Sequence, residues 1–218
     1  LYGPPPLAEY VRGCVETTMA GFGFPFQVHE LQPGQVVEAS GHRVRCLALT
    51  HRVPTLGYRV EEPVRPGRFE LDRATALGVP AGPLFGSLQQ GHDVTLDDGR
   101  LVRSADVLGP SRPGRVFALC TDTTYCENAV TLAQDADLLI HEATYAQCHH
   151  ELAVTRLHAT AAMAATVAKE AAARQLWLTH FSPRYETGQP VGVDELVAQA
   201  QAIFPATHAA ADGLRVAV

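Results

Sequence analysis

The sequence predicts an α/β layer fold, and three observations point there. Beyond residue 115, apolar strand-like runs alternate with helical periodicity. Residues 26–61 break into short β-like runs separated by turn residues. Between these regions, residues 62–114 open on Pro63, Pro66 and Gly67 and close on Pro110, Pro113 and Gly114, which reads as an insertion. The expected organisation is therefore a core domain in two parts, 1–61 and 115–218, interrupted by an inserted arm at 62–114.

Leu7, Val11, Cys14, Val15 and Thr18 recur at helical spacing, behind prolines at positions 4 to 6 that suit a helix start. The runs 26–31, 35–39, 44–50 and 56–61 read as a β-meander. Within the arm, a short helix at 71–77 leads through Gly78-Val79-Pro80-Ala81-Gly82-Pro83 into a second one ending at Gln89. A hairpin follows, with Asp97-Asp98-Gly99 turning between Val94-Thr95-Leu96 and Leu101-Val102. Little of the arm is amphipathic enough to own a core. Then come a strand at 115–120, a helix at 128–134 and a buried-type strand at 137–141. An alanine-rich helix at 160–173, with Thr160 as N-cap, precedes a strand at 175–179. A helix at 193–204 and a last strand at 214–218, after the Asp212-Gly213 turn, complete the prediction.

With 218 residues the chain suits one domain carrying an insertion. A content of 46% hydrophobic and 18% charged residues excludes disorder and a coiled coil. The net charge of −6 argues against a generally basic nucleic-acid coat but leaves room for a local basic patch. No uncharged apolar run is long enough to span a membrane. No basic, then apolar leader follows Leu1, so no signal peptide is expected. Five cysteines without a C-x-x-C pair fit the reducing cytoplasm.

Chemistry gathers at predicted strand ends. His51, Asp122, His141-Glu142 and His180 each close or follow a predicted strand, where α/β sheets collect ligands. Imidazole with carboxylate suits zinc or another divalent transition metal. Each residue has a second reading. His51 also fits an exposed loop, Asp122 an N-cap, and His180 a hydrogen-bonded core histidine. His141 closes an apolar run and fits the packed side of its strand. His158 precedes the N-cap Thr160, His149-His150 read as a solvated pair, and His29, His42, His92 and His208 as surface.

The ordered motifs Thr121-Asp122-Thr123, His141-Glu142-Ala143-Thr144, His158-Ala159-Thr160 and His180-Phe181-Ser182-Pro183-Arg184-Tyr185 resemble ribonuclease Z, the tRNA 3′-processing endonuclease family of the metallo-β-lactamase superfamily. Thr50-His51 before Gly57-Tyr58-Arg59, the arm's Pro80-Ala81-Gly82-Pro83-Leu84 and the opening Leu1-Tyr2-Gly3-Pro4 extend the resemblance over the whole chain. Thr121 stands where the family has Gly, and Ala159 where it has Ser. The superfamily's His-x-His-x-Asp-His loop is absent and is expected to lie before residue 1.

The resemblance implies part of an αββα sandwich with an inserted flexible arm. It implies a two-zinc site with His51, Asp122 and His180 as ligands, and hydroxide on the metal attacking a phosphodiester. It makes His158, oriented by Glu142, the donor of a proton to the leaving 3′ oxygen. Substrate would be held by Arg184 and by Gly82 and Pro83 in the arm, the substrate being precursor tRNA and the full-length form a homodimer. With so few ligands, the isolated chain is expected to bind zinc poorly and cleave little. Two alternatives stay open: a catalytically inactive RNA-binding or dimerisation module of the same fold, and another metallo-β-lactamase-type phosphodiesterase.

Overall fold

The computed structural model describes residues 1–19, 21, 23–185 and 191–217. In chain order the elements are β1 (Tyr2–Gly3), α1 (Leu7–Thr18), β2 (His29–Glu30), β3 (Val36–Ala39), β4 (His42–Ala48), β5 (Leu56–Glu61), α2 (Leu71–Ala76), α3 (Pro83–Gln89), β6 (Val94–Thr95), β7 (Leu101–Val102) and α4 (Ser104–Val107). They continue with β8 (Val116–Cys120), α5 (Glu127–Ala133), β9 (Leu138–Glu142), α6 (His150–Arg156), α7 (Ala161–Glu170), β10 (Leu176–Thr179), α8 (Val193–Gln201) and β11 (Thr207–Ala209). Two compact units emerge, one made of 1–61 with 115–218 and the other of 62–114. No helix among the described residues is long and apolar enough to cross a membrane.

The larger unit is built on a seven-stranded sheet of order β11-β10-β9-β8-β5-β4-β3. β8, β9, β10 and β11 run parallel, and β5, β4 and β3 continue antiparallel. Parallel neighbours require a crossover, and α5, α7 and α8 supply them. Parallel β8, β9 and β10 therefore deliver their C-terminal ends to one edge of the sheet, where the chemistry lies.

The core between helices and sheet is small-residue packing. Ala129, Ala133, Ala161, Ala164, Ala165 and Ala168 are fully buried with Leu132, Leu139, Leu176, Leu178 and Leu196. Alanine keeps helix propensity high while letting a helix approach the sheet closely. Thr160 caps α7, accepting from the Met163 backbone N–H at 3.2 Å. Gly57 marks another close approach, since a Cβ there would sit 2.6 Å from Leu132 Cδ1 and 3.0 Å from Leu49 Cδ2. On the sheet, Val37, Val44, Tyr58, Val60, Phe117 and Leu119 line an open apolar groove of about 330 Å³.

Several expectations need correction. The strand expected at 26–31 shrinks to β2, which pairs in parallel with β1. α1 forms, but none of its residues is buried. No strand forms over residues 214–217, and Val218 lies outside the described residues. The edge strand is instead β11, whose short polar run carries no β-periodicity and is held by pairing with β10. α6 was hidden by the polar start His150-Glu151.

The smaller unit contains the two expected short helices, the hairpin of β6 and β7, and the additional α4. Contrary to expectation, it owns a core. Ala74, Val79, Leu88, Val94, Leu96, Val102 and Val107 are buried, with Phe69, Leu84 and Phe85 against them. These residues come from several short elements, none long enough to show an amphipathic stripe alone. Gly67 passes so close to Gly109 that a Cβ would lie 1.9 Å from the Gly109 carbonyl oxygen.

Candidate metal centre

Three strand ends place the site. Asp122 follows β8, Glu142 closes β9, and His180 follows β10. Asp122 and His180 both adopt left-handed backbone conformations, with φ of 53° and 58°. Aspartate and histidine are among the non-glycine residues that enter this region most readily. His158 arrives on the loop between α6 and α7, just after Leu157, which is also left-handed at φ 57°. Pairing of Tyr145 with Thr160, with Tyr145 N–H donating to the Ala159 carbonyl at 3.1 Å, fixes that loop beside β9.

Asp122, Glu142, His158 and His180 each offer a ligand atom, all within 4.8 Å of one another. Their hydrogen bonds give them different roles. Glu142 is fully buried. Its Oε1 accepts from the Thr123 N–H at 2.6 Å and from His158 Nδ1 at 2.9 Å. Its Oε2 accepts from Thr144 Oγ1 at 2.5 Å and from the Ala159 N–H at 2.9 Å. With both oxygens engaged, Glu142 has little left to give a cation and acts as an orienting group. It holds His158 with Nδ1 as donor, leaving Nε2 free.

Thr144 then decides the state of His180. Its one hydroxyl proton goes to Glu142, so its 2.7 Å contact with His180 Nδ1 requires the imidazole to donate. In the neutral ring Nε2 is consequently a bare lone pair, and it faces Asp122 Oδ1 at 3.2 Å. Two acceptors at that separation repel unless a proton or a cation lies between them. A half-exposed imidazole and carboxylate converging in this way, with the far nitrogen held by a hydroxyl, fit a divalent transition metal. Replacing Thr144 with valine keeps the volume and removes the hydroxyl. Zinc affinity, measured by competition with a chromogenic chelator, is expected to fall about 10- to 100-fold, with Thr144→Ser close to wild type.

Of the expected ligands, Asp122 and His180 thus meet, whereas His51 does not join the four clustered donors. It lies next to them, its ring 4.9 Å from that of His158 and its Nδ1 donating to the Leu157 carbonyl at 3.0 Å. The His158 and His180 rings stack at 5.4 Å. His141 is fully buried between Cys120 and Leu178 on neighbouring strands, and burial pushes its pKa down. His149 is not part of a solvated pair, since its Nδ1 meets the Tyr185 hydroxyl at 2.8 Å. Arg184 is exposed, its Nε donating to Ser182 Oγ at 3.2 Å and its guanidinium carbon 5.5 Å from the Tyr145 ring centre. Gly82 and Pro83 lie in the smaller unit, exposed, where Gly82 adopts φ 142° before Pro83 opens α3.

Sequence reasoning missed Thr144 as the hydroxyl linking Glu142 to His180, although it sits two positions after Glu142 in the motif His141-Glu142-Ala143-Thr144. It also missed the cleft beside His51 and His158, about 410 Å³, lined in addition by Arg52, Tyr145, Arg156 and Arg184.

No family model matches the sequence. Curated relatives do. Ribonuclease Z of Acaryochloris marina is 49% identical over 218 residues, covering all of this chain and 69% of the relative. Ribonuclease Z of Cyanothece sp. is 50% identical over 214 residues, 98% of this chain and 67% of the relative. Among solved structures, the metallo-β-lactamase fold protein YhfI from Bacillus subtilis matches with a TM-score of 0.60 at 18% identity, over 98% of this chain and 62% of that one. The short form of human tRNase Z matches with a TM-score of 0.52 at 24% identity, over 84% of this chain and 61% of that one. At such identities the structural matches speak to the fold, which is that of the metallo-β-lactamases.

Proposed function

The chain belongs to the ribonuclease Z family, and from that premise we propose that it serves zinc-dependent removal of the 3′ trailer from tRNA precursors. The observation that carries this reading is the Thr144-fixed imidazole of His180 facing the Asp122 carboxylate. Asp122 and His180 would hold zinc, with His51 as a neighbouring imidazole. Zinc supplies Lewis acidity and a nucleophile at neutral pH.

The remaining work falls to protein groups. Phosphoryl transfer depends on positioning and charge stabilisation. Glu142 holds His158 through Nδ1, so a ring carrying a second proton presents Nε2–H to the leaving 3′ oxygen, gives that proton up as the P–O bond breaks and returns to neutral imidazole. Arg184 offers a planar fork to a phosphate oxygen. The backbone around Gly82 and Pro83 would hold folded tRNA through shape and phosphate contacts, in a homodimer whose arms serve the opposite subunit.

The His-x-His-x-Asp-His sequence does not occur in these 218 residues. An incomplete ligand set forfeits most of the coordination free energy, so weak zinc binding and slow turnover are expected of this polypeptide. The three arginines lining the cleft beside His51 and His158 favour a second reading, an RNA-binding module without catalysis. Single-turnover reaction of excess protein with 3′-extended tRNA under saturating zinc separates the two. A cut at the trailer junction, lost in His180→Ala, is expected. Tight tRNA binding with no cut at any zinc concentration would leave only the binding module.

A further inference from the structure

The cleft beside His51 and His158 has a charge pattern that the proposed chemistry uses only at Arg184. Three arginines line it, Arg52, Arg156 and Arg184, and among the described residues no carboxylate does. In a chain of net charge −6 this is a local inversion of sign. Salt-bridged arginines are common in this protein. Arg43, Arg59, Arg65, Arg73, Arg100 and Arg174 each meet an acidic side chain. The side chains of Arg52 and Arg156, by contrast, make no hydrogen bond or ion pair among the described residues, and both are exposed. Arg156 stands in the last turn of α6, immediately before the left-handed Leu157 whose carbonyl accepts from His51. Arg52 directly follows His51 in the chain. The two uncommitted guanidinium groups are therefore tied by short backbone links to the imidazole that borders the metal centre. The third, Arg184, is steadied by Ser182 and by the Tyr145 ring beneath it.

Guanidinium groups without carboxylate partners are suited to phosphate, which they meet through paired N–H donors. A duplex would present its phosphates on an outer surface. A cleft of about 410 Å³ instead suits a strand whose bases are splayed apart, with an arginine plane available for stacking. We propose that Arg52 and Arg156 bind the phosphates flanking the scissile one in unpaired RNA, with the Tyr145-supported guanidinium of Arg184 on the scissile phosphate between them. This assignment rests on the reading of the site as a nuclease centre and adds to it the two residues that grip the strand on either side of the cut.

The test measures binding of the 218-residue chain to a fluorescent oligouridine of roughly ten nucleotides, by anisotropy in EDTA and across a salt series. Arg52→Ala and Arg156→Ala are each expected to weaken binding about five- to tenfold at low salt. Each should also reduce the slope of log K against log salt by about 0.7, the contribution of one phosphate on a single strand. Arg12→Ala, an exposed arginine on α1, should change neither quantity. Equal weakening by all three variants, or no weakening by the two cleft variants, would overturn the proposal, as would equal affinity for a duplex of the same length. The outcomes separate from those of the cleavage test. If cleft-dependent RNA binding holds while 3′-extended tRNA is never cut, the subsite stands and the nuclease reading falls. If the Arg52→Ala/Arg156→Ala double variant cuts precursor with wild-type kcat and KM, the subsite alone falls.

Discussion

Replacing Glu142 with alanine is expected to lower the melting temperature by about 10 °C, a larger effect than any exposed substitution should produce. Removal of one partner from a buried charged network costs roughly 3–5 kcal/mol, and each kcal/mol shifts a domain of this size by about 2–4 °C. The reason is geometric. The Thr123 and Ala159 amides, the Thr144 hydroxyl and His158 Nδ1 all point at this one carboxylate from separate loops. Without it four donors lose their acceptor, and water is excluded from the position by complete burial. Glu142→Gln keeps the volume but substitutes an NH₂ for one acceptor oxygen, so an intermediate loss is expected. Thermal unfolding followed by circular dichroism measures both, and a Glu142→Ala melt within a degree of wild type would show that the network does not stabilise the loops.

The second large effect concerns His158. Alanine there should slow trailer removal by about 10²- to 10⁴-fold, the usual range for loss of a proton donor. Zinc affinity should stay near its wild-type value, and the melting temperature should fall less than in Glu142→Ala, because one of four donors to Glu142 is lost. His158 Nδ1 donates to Glu142, and the nitrogen left to face the substrate is Nε2. The ring stacks on His180 at 5.4 Å and stands 4.9 Å from His51, so it neighbours both the imidazole proposed to hold the metal and the one beside it. That position makes the split of readouts informative. Single-turnover cleavage together with chelator competition distinguishes a proton donor from a ligand. A collapse of zinc affinity in His158→Ala, in step with the rate, would reassign His158 to the metal.

How much of this was legible beforehand depends on the length scale of each feature. The strand and helix rhythm beyond residue 115 could be read because each parallel strand is a short apolar run and each crossover helix carries its own periodicity. That rhythm led to the strand ends, and so to Asp122 and His180. The resemblance to ribonuclease Z, carried by four short motifs, is the family that relatives near 50% identity match across the chain. The core of the 62–114 unit was invisible because its buried residues are scattered over short elements and combine only in three dimensions. β11 was invisible because an edge strand borrows its conformation from β10. The role of Thr144 turns on the number of protons it carries and on the burial of its neighbour, which no spacing rule encodes. The basic cleft draws residues from positions as distant as 52, 145, 156 and 184, and each arginine alone reads as ordinary surface.

The place where residues 62–114 enter the chain has a consequence of its own. They leave at the end of β5 and return at the start of β8, and those strands are adjacent and antiparallel, with Glu61 opposite Val116. In topological terms the whole unit is the tip of a β-hairpin. Its ends already approach each other, Gly114 passing tightly by the Glu62 carbonyl. Its buried residues are also separate from those beneath the seven-stranded sheet. Evolution can therefore treat it as a cassette: trimmed, lengthened or exchanged for a plain turn, it leaves the register of the catalytic scaffold to be set by strands that meet with or without it.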